Sequence, residues 1–223
     1  MDNSDRSRNL QLQYNNRFSS IGYYRNRLWR VLCEDYFQKY IDKDSTVLDL
    51  GCGWGEFINN IEAKKKFALD LNPESGEKLS EDVQFVHQSC TEHWPISESS
   101  LDLIFTSNFF EHLPNKSAVE DTVERAKKCL KPGGKIICLG PNIKYLPGGY
   151  WNYWDHHVPI SEDSLAELLI LKGFRIENKV GKFLPYTMSD GKTPPLILVR
   201  MYLMFPMVWR IFGKQFLLIA CRE

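Results

Sequence analysis

The sequence has no charge excess of either sign: 28 lysines and arginines balance 28 aspartates and glutamates over 223 residues. Proteins that hold nucleic acid through its phosphates normally carry a basic surplus, so no nucleic-acid partner is expected. Closely paired cysteines are missing too. The six cysteines, at 33, 52, 90, 129, 138 and 221, form no Cys-x-x-Cys motif, which argues against a zinc knuckle or a thioredoxin-type site. Reduced thiols in a cytoplasmic protein are the simplest expectation. The opening stretch MDNSDRSRNLQLQYNNRF lacks the apolar region of a secretory signal. No run reaches the ~20 nearly uncharged apolar residues of a membrane-spanning helix. The nearest approach, Leu196 to Phe212, is interrupted by Arg200, Pro206 and Arg210. Internal repeats and low-complexity tracts are also absent.

What remains is an ordinary globular composition, 43% hydrophobic and 25% charged, at a length that suits one domain. Leu28, Val31, Leu32, Tyr36, Phe37 and Tyr40 recur at helical spacing and predict a helix over Arg27 to Ile41, within an N-terminal cap spanning 1–44. Thr46 to Leu50 reads as a buried parallel strand. A helix over Glu56 to Ala63 is expected next, then a strand over Lys66 to Asp70 and a loop or short helix over Asn72 to Asp82. Strands follow at Val83 to His87 and Leu101 to Ser107. A helix over Val119 to Leu130 is stopped by Lys131-Pro132-Gly133-Gly134, ahead of a strand at Lys135 to Leu139. Ser161 can cap a helix that runs to about Lys172 and stops at Gly173. Phe174 to Val180 and Gln215 to Cys221 read as the last strands. This alternation predicts an α/β domain with a mostly parallel sheet and helices on both faces. The insertion over 183–213 is too long for a hairpin loop. Its segment Leu196 to Phe212 is apolar all round. Burial over the core is the leading expectation for it, with self-association or peripheral membrane contact as the other outcomes.

The most informative stretch is Val47-Leu48-Asp49-Leu50-Gly51-Cys52-Gly53-Trp54-Gly55, a strand running into a glycine-rich turn. Glycine there permits unusual dihedrals and lets a ligand approach the main chain, although tight turns without any ligand use glycine as well. Two features favour a nucleotide. The motif lies where a strand gives way to an expected helix, and the next strand ends in Asp70, which can accept hydrogen bonds from both ribose hydroxyls. The spacing is G-x-G-x-G, unlike the G-x-G-x-x-G of dinucleotide sites, and Asp49 would repel a pyrophosphate. S-adenosylmethionine carries a sulfonium, an amino group and no phosphate, and suits a carboxylate better.

The segments VLDLGCGWGEF, ALDLNP, LDLIFTSNFFEHL and KPGGKIICLGPN resemble the successive motifs of class I S-adenosylmethionine-dependent methyltransferases, in order, over roughly residues 45 to 142. That resemblance implies a Rossmann-like seven-stranded sheet whose last strand is antiparallel and inserted beside its predecessors. It implies S-adenosylmethionine as cofactor, with Asp49, Gly51, Cys52 and Gly53 around the methionine part and Asp70 on the ribose. Leu71 and Asn72 would lie near the ribose or adenine, Gln88, Ser89 and Cys90 near the adenine, and Asn108 and Phe109 at the reacting centre. More loosely, RN-x-LW near residue 25 and WDHHVP are similar to methyltransferases of bacterial polysaccharide biosynthesis. This implies O-methylation of a saccharide or lipid-linked saccharide.

Methyl transfer needs the acceptor positioned and water excluded, and an alcohol acceptor also needs its proton removed. His112 is one candidate base, although Glu111-His112 reads more readily as a structural element opening the next helix. His156 and His157 are the others, within the unusual run Tyr150-Trp151-Asn152-Tyr153-Trp154-Asp155-His156-His157. Its aromatics could seat the apolar face of a sugar, or bury themselves and leave the histidines to solvent. Two adjacent histidines are metal-ligand types, but no further ligand is evident near them, so no metal is expected. Two other readings stay open: methylation of a small aromatic or quinone-like metabolite, and a cofactor-binding scaffold without catalysis.

Overall fold

The computed structural model describes residues 12, 15–17, 19–186 and 193–223. Helix α1, Gly22–Leu32, runs on through a wider π-type turn at Cys33–Phe37 and a tight 3-10 turn at Gln38–Tyr40. The apolar face expected over 27–41 is thus one stack with two changes of pitch, and it buries Trp29, Leu32, Cys33, Tyr36 and Phe37.

Strand β1, Thr46–Leu50, is followed by β2, Lys65–Asp70, a short helix α2, Ser75–Lys78, and β3, Val83–His87. Next come β4, Leu101–Ser107, α3, Lys116–Cys129, β5, Leu130–Pro141, α4, Glu162–Leu171, and β6, Phe174–Val180. Helices α5, Leu196–Met204, and α6, Pro206–Phe212, fill the insertion ahead of β7, Gln215–Arg222. The sheet order is β3-β2-β1-β4-β5-β7-β6. Strand β7 pairs antiparallel with both β5 and β6, and the other pairs are parallel. Strand order reverses between β1 and β4, which opens a crevice at their carboxyl ends. Helices α3 and α4 cover one face, while α1, Leu203 of α5 and Trp209 of α6 cover the other.

The helix expected over Glu56 to Ala63 does not form; turns lead into a single 3-10 turn at Ile58–Asn60. Side chains compete for the local backbone there: Asn60 Nδ2 donates to the Glu56 carbonyl at 2.8 Å and Asn59 Nδ2 to that of Lys78 at 2.8 Å. Phe57 meanwhile stacks on Phe105 with ring centroids 3.7 Å apart, which holds the turn against the sheet. Helix α3 does end at Cys129, just ahead of Lys131-Pro132-Gly133-Gly134, but the strand expected from Lys135 begins earlier. Strand β5 starts at Leu130, and the glycines form an irregularity where pairing jumps from Leu101–Leu130 to Leu103–Lys135. Ser161 caps α4 as expected, forming a reciprocal pair with Ser164, and Gly173 ends it at φ +78°.

The insertion corrects a third expectation. Only Leu203 and Trp209 of its two helices are buried, with Trp209 packed against Phe183 and Tyr36. Ile197, Leu198, Met201, Met204, Phe205, Met207, Ile211 and Phe212 remain exposed. Pro206 breaks the run into two short helices, so each contributes just one anchor to the core. No helix among the described residues is long and apolar enough to cross a membrane. All six cysteines are buried and unpaired.

Candidate active site

A cavity of about 400 Å³ lies over the carboxyl ends of β1, β2, β3 and β4. On one side it is acidic. Asp49 is fully buried at the end of β1. Desolvation, followed by the charges of Glu56 and Asp70, pushes its carboxyl well above the usual range. Glu56 is answered by Arg25, whose Nε lies 2.8 Å from Oε1. Asp70 accepts the Gly53 N–H on Oδ2 and the Asn72 N–H on Oδ1, each at 2.8 Å. Burial raises the Asp70 carboxyl, and those backbone bonds hold the rise back. Asp70 therefore pins the loops after β1 and β2 to one another, and a carboxylate, with about four acceptor directions, keeps capacity for a ligand. Gly51 sits at φ +71°, and a Cβ there would lie 2.2 Å from the Phe109 ring. Only glycine allows that contact.

The other side begins where β4 ends. Asn108 takes a left-handed φ of 49°, with its N–H on the Leu139 carbonyl at 2.9 Å. Asparagine tolerates this region better than most residues, and the bend swings Phe109, Glu111 and His112 over the cavity. Glu111 is 3% exposed, and its Oε1 has no hydrogen-bond partner among the described residues. His112 Nδ1 lies 3.1 Å from the Asp155 carboxylate Oδ2 and 3.1 Å from the Asp155 carbonyl. Asp155 in turn receives both terminal nitrogens of Arg17. Burial opposes ionisation of Asp155, but the His112 and Arg17 contacts outweigh it and hold the carboxyl below the ordinary range. Burial likewise opposes a charged His112, yet Asp155 and Glu111 raise its pKa overall.

His156 is 5% exposed and packs edge-on to His112 and Tyr150, with centroids 4.8 and 4.9 Å away. Desolvation first, then the neighbouring His112, lowers its pKa to about 4. Its Nδ1 has no hydrogen-bond partner among the described residues. The Glu111 carbonyl accepts the N–H groups of His157 and Val158, at 2.8 and 3.1 Å, which ties the aromatic loop to the turn after β4.

A family model described as a methyltransferase domain matches residues 21–179. The chain belongs to this methyltransferase family. Its sequence is 24% identical over 176 residues to the demethylmenaquinone methyltransferase of Oceanobacillus iheyensis, covering 71% of each chain. Among solved structures, a SAM-dependent methyltransferase from Archaeoglobus fulgidus superposes with a TM-score of 0.65 at 20% identity, over 88% of this chain and 94% of that one. One from Aquifex aeolicus gives 0.57 at 17% identity, over 88% and 93%. At such identities the superpositions speak for the fold, which is that of class I S-adenosylmethionine-dependent methyltransferases.

In this methyltransferase Asp49, Gly51, Cys52, Asp70, Leu71, Ser89, Cys90, Asn108 and Phe109 all line the one cavity. Gly53 and Asn72 do not line it. The Gly53 N–H is spent on Asp70, and Asn72 is buried with its Oδ1 on the Glu74 N–H, so both shape the cavity from behind. His112 and His156 come together, whereas His157 lines the rim from an exposed position. Trp154 stands 91% exposed at the mouth and Trp151 does not reach the cavity, so the aromatic wall is made by Tyr153, Trp154 and Tyr186 instead. Sequence reasoning missed Arg17, Arg25, Glu56 and Tyr186. For Glu56 a signal existed: it is the acid closing VLDLGCGWGEF. The arginines meet their carboxylates only through tertiary packing. The same holds for metal-ligand types: Glu111 and His112 join His156 only in the fold.

Proposed function

We propose that the methyltransferase moves the methyl group of S-adenosylmethionine onto a hydroxyl oxygen of an acceptor that carries an apolar or lipid portion, in the first reading a lipid-linked saccharide. The observation that carries this is the Arg17–Asp155–His112 relay at the end of an otherwise acidic, cation-suited cavity. Asp49, Glu56 and Asp70 against the single Arg25 leave an excess of carboxylate, which favours a sulfonium and an ammonium and disfavours a pyrophosphate. Asp70 holds the ribose through the acceptor directions it has left. When bound, S-adenosylmethionine supplies an electrophilic methyl group on a good leaving group.

The chain's own residues do the rest. Phe109 and Leu113 line the path between the two halves and keep water from it. With Nδ1 committed to Asp155, His112 presents Nε2 to the cavity, and the acceptor proton leaves at the Glu111–His112–His156 group. Helix α6 ends at Phe212 with Ile211 and Phe212 exposed, and past two intervening residues the chain reaches Gln215, which lines the cavity with Pro185 and Tyr186. Arg210 and Lys214, both exposed, add positive charge there, which suits an anionic lipid surface.

A second reading, a quinone-like aromatic acceptor, is favoured by the aromatic wall of Tyr153, Trp154 and Tyr186 and by the name of the Oceanobacillus relative. One experiment tests both. Purified protein is incubated with methyl-labelled S-adenosylmethionine and a total lipid extract, and labelled products are separated and treated with mild acid. Label released with a sugar supports the first reading, and label staying with an aromatic lipid supports the second. No transfer into any fraction refutes the proposal and leaves a cofactor-binding scaffold.

A further inference from the structure

We propose that Glu111, His112 and His156 bind a divalent transition-metal ion at the acceptor end of the cavity. One ligand atom from each lies within 4.8 Å of the others. The His112 Nε2 to Glu111 Oε1 separation of 3.8 Å is beyond hydrogen-bond reach but close to the spacing of two donors on one ion. With bonds of ~2.1 Å, two ligand atoms of one ion stand ~3–4 Å apart, so the site closes with side-chain movement on the order of an ångström.

The chemistry of the three atoms points the same way. Glu111 Oε1 and His156 Nδ1 are both buried and without a hydrogen-bond partner among the described residues. His112 donates Nδ1–H to Asp155, so its remaining nitrogen is a lone-pair donor as well. With Glu111 ionised and both imidazoles neutral, three acceptors converge. A water has two hydrogens and leaves one acceptor unmet, whereas a cation meets all three. The supporting contacts are also those of a metal centre. A ligating histidine commonly gives its other N–H to a carboxylate, here Asp155, which is itself fixed by two bonds from Arg17. The His156 ring packs edge-on against Tyr150, with centroids 4.9 Å apart.

Two imidazoles and one carboxylate select zinc, iron or a similar ion over magnesium, which prefers oxygen ligands. Three protein ligands leave at least one coordination position open to the cavity. A hydroxyl bound there gives up its proton far more readily than in water, and the proton passes to solvent. His112 then serves as a ligand in place of a base. That role at an acceptor oxygen rests on the hydroxyl transfer proposed above, but ion binding does not require the acceptor, so the two can fail separately.

The test uses the full chain with any affinity tag removed. It is stripped with a chelator and titrated with Co²⁺, followed by visible absorption and calorimetry. One ion per chain is expected, with the spectrum of nitrogen and oxygen ligation. His156→Gln and Glu111→Gln should weaken Co²⁺ binding at least about a hundredfold, and Asp155→Asn about ten- to a hundredfold. S-adenosylmethionine affinity and the melting temperature are read alongside, so that a misfolded variant is recognised. Should a variant misfold, His156→Ala replaces it. Absence of Co²⁺ uptake by the wild type, or equal uptake by folded variants, overturns the proposal.

Discussion

Arg17 holds Asp155 through two guanidinium nitrogens, at 2.6 and 3.1 Å, although 138 residues of chain separate them. The same guanidinium lies over the Tyr153 ring, 4.8 Å from its centroid. Arg17 therefore borders the acceptor side of the cavity and fixes the carboxylate that orients His112.

Arg17→Ala should lower turnover by about ten- to a hundredfold, because Asp155 loses its anchor and His112 its orientation. S-adenosylmethionine affinity should stay near normal, since Arg17 does not touch Asp49 or Asp70. Arg17→Lys should recover only part of the rate, because an ammonium cannot reproduce the two-point contact. Steady-state kinetics and cofactor calorimetry check this; equal loss of cofactor binding would contradict it.

Asp70→Ala removes an acceptor from the Gly53 and Asn72 N–H groups as well as from the ligand. S-adenosylmethionine binding should weaken by about 1.5–3 kcal/mol, the scale of hydrogen bonds to a charged group. NAD should not bind either protein. Calorimetry with both ligands decides it, and comparable affinity for NAD would overturn the cofactor assignment.

Asp49 should make cofactor binding depend on pH. Burial, aided by Glu56 and Asp70, raises its pKa in the free protein. A cationic ligand favours the ionised carboxylate and lowers that pKa, so the free form binds more protons than the complex. Affinity should therefore fall as pH drops through the raised value, and binding in that range should release a proton. Calorimetry in buffers of different ionisation enthalpy measures the release, and Asp49→Asn should abolish it.

The strands and the acidic motif were legible because their signals are local. Val47, Leu48 and Leu50 make an apolar run broken only by Asp49, and Asp70 closes the next strand. The expected helix over Glu56 to Ala63 failed because periodicity cannot register what Asn59 and Asn60 do with their side-chain amides. The Glu111–His112–His156 group was hidden for another reason. Glu111 and His156 belong to loops joined where the Glu111 carbonyl accepts the His157 and Val158 N–H groups and His112 meets Asp155, pairings with no pattern in sequence. Arg17 and Arg25 sit in a polar, helical approach where any arginine looks like surface charge until its carboxylate is known.

The insertion gives the sharpest separation of packing from surface, because its neighbouring residues Leu203 and Met204 are 7% and 72% exposed. Leu203→Ser should cost about 3–5 kcal/mol, since it opens a cavity under α5 and buries a hydroxyl there. Met204→Ser, combined with Met207→Ser and Ile211→Ser, should leave the melting temperature almost unchanged, because none of the three contributes to the core. The triple variant should instead lose flotation with liposomes containing anionic lipid, which the wild type is expected to show at low salt. If the apolar face serves a second copy of the chain, light scattering will report a dimer that the triple variant cannot form, and flotation will be absent in both. A wild type that neither floats nor self-associates at any salt concentration would remove the membrane from the proposed function. The acceptor would then have to reach Tyr186 and Trp154 from solution, as a free molecule small enough for the cavity of about 400 Å³.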